Sequence, residues 1–286
     1  MLKKLLKYDL MSVWRIWWIQ ALTVLGLSVL GAISLRIIIS ETLGDTMFGI
    51  FYVFAGLFII LSFIGIAGSM IANSLLIYVR FYKHFFTDEG YLTFTLPVSR
   101  KKLLLSKSLN ALIWTACEVI LITISVGIFL LISPPMEKGG FLINTIIYKE
   151  LFSALAMAWQ NIGAWLIVYV IEVLIILLCY YILSMSIVYC CITIGAIIAK
   201  KNKLFAAIGI YYLTNAVISF VAQLLLFLGI AALSGGLIII LENASPFANH
   251  CVAAMLLLIG CAAMALFAAL AYFITLDMLE RKLNLS

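Results

Sequence analysis

The segment FGIFYVFAGLFIILSFIGIAGSMIANSLLIYV, from Phe48 to Val79, contains no charged residue. A helix needs about 20 consecutive apolar residues to cross a bilayer. This segment is therefore predicted to be a transmembrane helix. Within it, Gly65, Gly68 and Ser69 are small enough to let a neighbouring helix approach closely.

Long apolar segments recur along the whole chain. Of its 286 residues, 66% are apolar and 10% are charged, whereas soluble domains are about half apolar and a quarter charged. We therefore predict an all-α polytopic membrane protein that forms a single transmembrane domain over residues 1–286. The predicted spans are residues 17–39, 48–79, 109–132, 162–199, 204–233 and 247–276.

The distribution of basic residues predicts the topology. If the N-terminus is cytosolic and each apolar run crosses once, all but three of the 18 basic residues are cytosolic. The exceptions are Arg36, Lys138 and Lys149. This is the asymmetry of the positive-inside rule. Splitting the run 162–199 into two crossings would place Lys200–Lys203 outside. We therefore predict six spans with both termini in the cytosol.

Two segments beside the spans have patterns of their own. In residues 1–15, apolar and basic residues lie on opposite sides at helical spacing, which predicts an amphipathic helix in the membrane plane. Ser234–Gly236 interrupts the fifth apolar run. Residues 235–247 are therefore predicted to form an irregular segment at the outer leaflet.

The loop RFYKHFFTDEGYLTFTLPVSRKKLLLSK, from Arg80 to Lys107, is the longest polar interruption. It is rich in basic residues yet retains aromatic and aliphatic ones. Several of its side chains share a face of a helix predicted for Phe81–Glu89, and such a face can fill a groove on a partner. The predicted docking residues are Tyr82, Phe85, Phe86, Asp88 and Glu89. The alternative is a loop that only sets topology.

A turn is predicted near the end of this loop. Pro97 restricts Leu96 to an extended conformation. Ser99 can cap the helix that leads into the third span. Leu96, Pro97 and Ser99 are therefore predicted to form a hinge.

The sequence lacks the common catalytic and nucleotide-binding motifs, including the P-loop. Its two histidines, His84 and His250, are predicted on opposite sides of the membrane, so no metal site is expected. The six cysteines form no CxxC pair and are read as small packing residues. The basic residues lie where topology requires them, so no binding of nucleic acid is expected. We do not expect this chain to be an enzyme.

Two carboxylates, Glu118 and Glu172, lie inside predicted spans. A charge at bilayer depth costs about 2.5–3.5 kcal/mol on insertion scales. These residues should therefore face protein or water. They either line a substrate path or cation site, or form hydrogen bonds that fix helix packing.

Several short motifs resemble those of a known family. Glu89–Leu92 (EGYL), Thr95–Arg100 (TLPVSR) and Leu103–Lys107 (LLLSK) resemble the first cytosolic loop of bacterial ABC exporter permeases of the second type. Leu279–Leu285 resembles the C-terminal segment that follows the sixth span in those permeases. The six spans and the amphipathic N-terminal segment are also similar.

The resemblance implies a multi-pass permease in the bacterial plasma membrane, surrounded by lipid, with no cofactor on this chain. Two copies of a separate ATPase subunit would bind ATP and Mg²⁺ and dock on the cytosolic loop. A second permease chain, identical or homologous, would complete an exporter for a peptide, drug or lipid-like substrate. The alternative is a membrane immunity, sensor or scaffold protein that works without an ATPase.

Overall fold

The computed structural model describes residues 2–39, 49–95, 97–132, 145–199, 202–232 and 245–281. Over these ranges the chain forms eight helices and no strand. The helices are α1 Leu2–Ile39, α2 Gly49–Phe86, α3 Asp88–Thr95, α4 Arg100–Ile132, α5 Thr145–Ile162, α6 Trp165–Ile198, α7 Lys203–Ala232 and α8 Pro246–Arg281.

Six of these helices, α1, α2, α4, α6, α7 and α8, are long and apolar enough to cross a membrane. The prediction of an all-α membrane protein with six spans is confirmed. The two remaining helices, α3 and α5, connect spans. Most of the outer segment predicted for residues 235–247 lies outside the described residues, which resume at Ser245, just before α8.

The N-terminal amphipathic segment is the first part of α1 rather than a separate element. Helix α1 runs without a break from Leu2 to Ile39. The sequence has no proline or glycine before Gly26, so nothing interrupts the hydrogen-bond ladder between the basic segment and the apolar one.

The helix break in the loop Arg80–Lys107 lies earlier than predicted. Helix α2 ends at Phe86, and α3 then begins at Asp88, so the helix does not continue to Glu89. Thr87 closes the end of α2, because its hydroxyl donates to the Lys83 carbonyl at 2.6 Å.

Gly90 lies inside α3 and is needed for the close approach of the two helices. A Cβ at this position would lie 2.8 Å from the Phe85 carbonyl oxygen. The Gly90 amide also donates to the Thr87 carbonyl at 2.7 Å. The chain therefore makes a tight turn centred on Thr87 and does not continue as one helix from Phe81 to Glu89.

The described chain divides into two compact units. The first comprises Met1–Arg80 and Lys102–Ala158, and the second comprises Phe81–Lys101 and Trp159–Ser286. In the first unit, Ala21, Val24 and Leu121 form a buried cluster between α1 and α4. Helix α2 packs against α1 in the same unit. The Ser62 hydroxyl of α2 donates to the Leu27 carbonyl of α1 at 2.6 Å, and Gly31 of α1 lies against Ser62.

In the second unit, α6 packs against α7 and α8. Gly195 of α6 lies against the backbone of Ala207 in α7, where a Cβ would come within 2.5 Å of the Ala207 Cα and N atoms. The side chains of Phe81, at the start of the loop Arg80–Lys107, and of Leu279 in α8 are almost fully buried.

Candidate partner-binding site

Helix α3 exposes apolar side chains in the most polar loop of the chain. Tyr91 is 66% exposed and Leu92 is 69% exposed. The carboxylate of Glu89 on the same short helix is also exposed. Adjacent large apolar side chains that the described part of the chain leaves uncovered form a candidate contact surface, because their burial by a partner would be favourable. We call Glu89, Tyr91 and Leu92 the α3 face.

The aromatic residues predicted to dock a partner are packed inside the second unit. Phe85 is 0% exposed and Phe86 is 8% exposed, while Tyr82 is half-buried. In this arrangement Phe85 and Phe86 cannot enter a groove on another protein. Of the predicted docking residues, Glu89 has an exposed side chain. The side chain of Asp88 lies outside the described residues.

Tyr91 and Leu92 are not among the docking residues predicted from the sequence. Both belong to the EGYL motif at Glu89–Leu92. Their exposure follows from the turn at Thr87, because a helix that restarts there directs a different set of side chains outward. A long helix ending at Glu89 would have left them in a loop.

Aromatic and cationic contacts anchor α3 to its unit. The ring of Phe94 in α3 lies 5.7 Å from that of Phe85, centroid to centroid. The guanidinium of Arg100 lies 5.2 Å from the centroid of the Phe94 ring, a cation–π geometry. The same guanidinium donates a hydrogen bond to the Leu279 carbonyl near the end of α8. Arg100 therefore links α3 to α8.

A second contact links the end of α2 to α6. The ring of Phe81 stacks on that of Tyr189, with centroids 3.9 Å apart and planes 7° apart. Phe81 also lies 5.0 Å from Phe85. The helix that carries the α3 face is thus connected through buried rings to the centre of the second unit.

The predicted hinge is a short non-helical connection. Pro97 and Ser99 are both exposed, and residues 97–98 form bends before α4 begins at Arg100. The start of α4 directly after Ser99 agrees with the position predicted for a cap. Leu96 lies outside the described residues.

Glu118 is enclosed by hydrogen-bonding groups in the first unit. It is 3% exposed. The Gln20 amide nitrogen lies 3.2 Å and 3.3 Å from its two carboxylate oxygens and also donates to the Ser69 carbonyl at 2.9 Å. One amide therefore ties α1, α2 and α4 together. This arrangement provides the packing role that was one of the two hypotheses for Glu118.

Glu172 has a different environment in the second unit. It is 6% exposed, and its Oε2 atom has no hydrogen-bond partner in the described part of the chain. Cys261 of α8 lies close to it, with Cys179 of α6 beside that thiol. Within the described ranges, no group of three or more His, Cys, Asp or Glu side chains is close enough together to hold a metal ion. A buried acceptor without a donor is able to take up a further polar partner.

Comparisons with protein-family models, curated proteins and solved structures found no match to this chain.

Proposed function

We propose that this chain is the transmembrane permease subunit of an ATP-driven exporter of the bacterial plasma membrane. Two copies of a separate ATPase subunit bind ATP and Mg²⁺, and a second permease chain completes the transporter. The observation that carries the proposal is the α3 face, an exposed apolar surface on a short helix that is clamped to longer ones. The family resemblance of the surrounding motifs supports it.

The α3 face has the chemistry of a small docking element. Tyr91 and Leu92 offer apolar contact area, and Glu89 offers a charge that can pair with a basic residue of the partner. Short amphipathic helices bind grooves through a few such anchors. Aromatic anchors at the centre of an interface contribute most of its binding energy.

The contacts of α3 provide a route for transmitting movement. A partner that displaces α3 moves Phe94, and with it the guanidinium of Arg100. Arg100 is bonded to the Leu279 carbonyl, so the displacement reaches α8. The rings of Phe81 and Tyr189 carry the same displacement to α6. ATP-driven movement of the docked subunit would in this way change the arrangement of α6 and α8.

Glu172 is the better candidate for contact with the exported substrate. It lies between α6 and α8, the two helices that the α3 contacts reach, and one of its carboxylate oxygens lacks a donor. A basic or hydrogen-bonding group on a peptide, drug or lipid-like substrate would satisfy it. Glu118 remains a path-lining candidate from the sequence, but both of its carboxylate oxygens lie within hydrogen-bond distance of the Gln20 amide.

The test is replacement of the α3 face by Tyr91→Ala with Leu92→Ala. The matched control is Phe152→Ala with Leu155→Ala, which changes two exposed apolar residues of α5 (66% and 48% exposed). The full chain is co-expressed with an ATPase encoded beside it and reconstituted in vesicles. The measured quantities are ATPase co-purification and ATP hydrolysis by the reconstituted complex.

We expect the α3 variant to weaken ATPase binding about tenfold or more, since anchor residues typically contribute over 1 kcal/mol each. The α5 control should bind normally. Equal binding by both variants would contradict the docking role of α3. A chain that copurifies with no Walker-A protein would instead favour the ATPase-independent immunity, sensor or scaffold function.

A further inference from the structure

The rotation of the first turns of α1 is fixed by two polar contacts. The Lys107 ammonium lies 2.5 Å from Asp9 Oδ1, and the Ser106 hydroxyl donates to Asp9 Oδ2 at 2.9 Å. One helical turn further on, the Arg80 guanidinium donates to the hydroxyl and the carbonyl of Ser12. All of these residues belong to the first unit. They determine which side of α1 faces α2 and α4, and therefore which side faces outward.

The outward side carries cations and aromatic rings in a single line. Its members are exposed and recur at helical spacing, in a sector about 120° wide around the axis at 3.6 residues per turn. They are Lys4, Lys7, Tyr8, Met11, Trp14, Arg15 and Trp18. We call this surface the α1 basic stripe. Tyr8 is 70% exposed, Met11 61% and Trp14 54%.

The order of residue types along the stripe matches the layers of a lipid leaflet. Lys4 and Lys7 come first, Trp14 and Trp18 flank Arg15 in the middle, and the exposed aliphatic surface of the span follows with Leu22. Indole rings prefer the membrane–water interface, and basic side chains next to them reach the headgroups. The same face therefore passes without interruption from acyl chains to headgroups.

The charge of the stripe is of one sign. Its three cationic side chains are accompanied by a single acidic residue among the first 18, Asp9. That carboxylate is turned inward against Lys107, with its side chain 12% exposed. No exposed carboxylate on this segment opposes the approach of an anion.

We propose that the α1 basic stripe binds the headgroups of anionic phospholipids. Lys4, Lys7 and Arg15 contact the phosphates, and the Trp14 and Trp18 rings lie at the base of the headgroups. The inference goes beyond the proposed transport function and does not depend on it, because it rests on the exposure and charge of α1 alone.

The test uses the full chain purified in an uncharged detergent. Phosphatidylglycerol or phosphatidylcholine with the same acyl chains is added at equal concentration. Native mass spectrometry measures the relative affinity for the two lipids, and the melting temperature gives a second readout on the unmodified protein. The variant is Lys4→Gln/Lys7→Gln/Arg15→Gln. The matched control is Lys101→Gln/Lys102→Gln, which removes two exposed lysines at the start of α4.

We expect the unmodified chain to bind phosphatidylglycerol more tightly and to melt at a higher temperature in its presence. A cation near an anionic surface strengthens binding by about fivefold. The triple variant should therefore lose most of the preference for phosphatidylglycerol over phosphatidylcholine. Each of the three substitutions made alone should reduce that preference about fivefold. The control should retain it, and the melting temperature in phosphatidylcholine should be unchanged.

Two results would overturn the proposal. One is equal affinity of the unmodified chain for the two lipids. The other is a preference that survives in the triple variant but disappears in the Lys101/Lys102 control, which would place the anion site at the start of α4. No ATPase is present in the mass-spectrometric or the melting measurement. A negative result for lipid binding therefore does not bear on the docking of an ATPase on α3, and a negative docking result does not bear on lipid binding.

Discussion

Phe81, near the C-terminal end of α2, stacks face to face on Tyr189 of α6, with ring centroids 3.9 Å apart. Both side chains are almost fully buried, at 1% and 2% exposure. This contact joins two helices that are more than 100 residues apart in sequence. Phe85 and Phe86 pack beside Phe81, so this contact accounts for their burial, whereas Tyr91 of the same loop is exposed.

Loss of this stacked pair should destabilise the protein. Phe81→Ala is expected to lower the free energy of unfolding by about 3–5 kcal/mol, because it leaves a cavity in a packed site. Tyr189→Phe keeps the ring and should cost far less. Unfolding in detergent by heat or by added denaturing detergent measures both variants.

A double-mutant cycle isolates the ring contact from simple cavity formation. Coupling between Phe81→Ala and Tyr189→Ala is expected at about 0.5–1.5 kcal/mol. Effects that add without coupling would show that the two rings contribute independently.

The close approach of α6 and α7 at Gly195 predicts a glycine-specific effect. Gly195→Ala places a Cβ within 2.5 Å of the Ala207 backbone, which cannot move away as a side chain does. Such overpacking typically costs about 1–3 kcal/mol. Gly209→Ala in α7 is the control, since its Cβ would meet nothing within 4 Å. Alanine is favoured over glycine in a helix by about 1 kcal/mol.

We therefore expect the Gly195 variant to unfold at a lower temperature and the Gly209 variant to be unchanged or more stable. The measurement is the melting temperature of both variants in the same detergent. A decrease of equal size in the two would mean that both glycines serve flexibility rather than close packing.

The spans were predictable because length and hydropathy are local properties of the chain. The run Phe48–Val79 identifies a membrane helix without reference to any other segment. The end of that helix was not predictable in the same way. Helix α2 continues to Phe86, and Phe81 in its last turns packs on Tyr189 of α6. The periodicity of the loop residues does not identify this contact with a distant helix.

The candidate site was partly predictable for a related reason. The loop and its EGYL motif were identified from the sequence, and Glu89 lies on the exposed face. Which aromatic residues face outward depends on what lies behind them, so the burial of Phe85 and Phe86 could not be predicted from the sequence. Lys107 was read as a topology signal, although it is the buried partner of Asp9.

The Asp9–Lys107 ion pair predicts an asymmetric response to mutation. The two side chains are 12% and 10% exposed. Removal of one charge from a buried pair typically costs about 3–5 kcal/mol, because the other charge is left uncompensated. Asp9→Asn is therefore expected to destabilise the first unit strongly. Replacement of both residues by apolar ones, Asp9→Leu with Lys107→Met, should cost less than the single change.

Thermal unfolding of the single and double variants in detergent checks this prediction. Proteolysis near the N-terminus provides a local readout, since the first turns of α1 lose their ion pair with α4 in the single variant. If Asp9→Asn melts like the unmodified protein, the pair does not hold α1 in place. The rotation of the α1 basic stripe would then need another cause.

Glu118 and Glu172 should respond in opposite directions to the same change, although both are buried carboxylates within spans. Glu118→Met leaves the Gln20 amide without its carboxylate acceptors, and a buried group deprived of its partner costs about 1–3 kcal/mol. Glu172→Met removes an oxygen that had no donor, so stability should stay constant or rise. Thermal unfolding of the two methionine variants in the same detergent gives the comparison.

If Glu172→Met keeps its stability yet abolishes substrate-stimulated ATP hydrolysis in the reconstituted transporter, the residue is retained for function, because stabilising changes at functional sites often reduce activity. If Glu172→Met destabilises as much as Glu118→Met, the Glu172 carboxylate has a packing role like that of Glu118, and neither residue should be assigned to the substrate path.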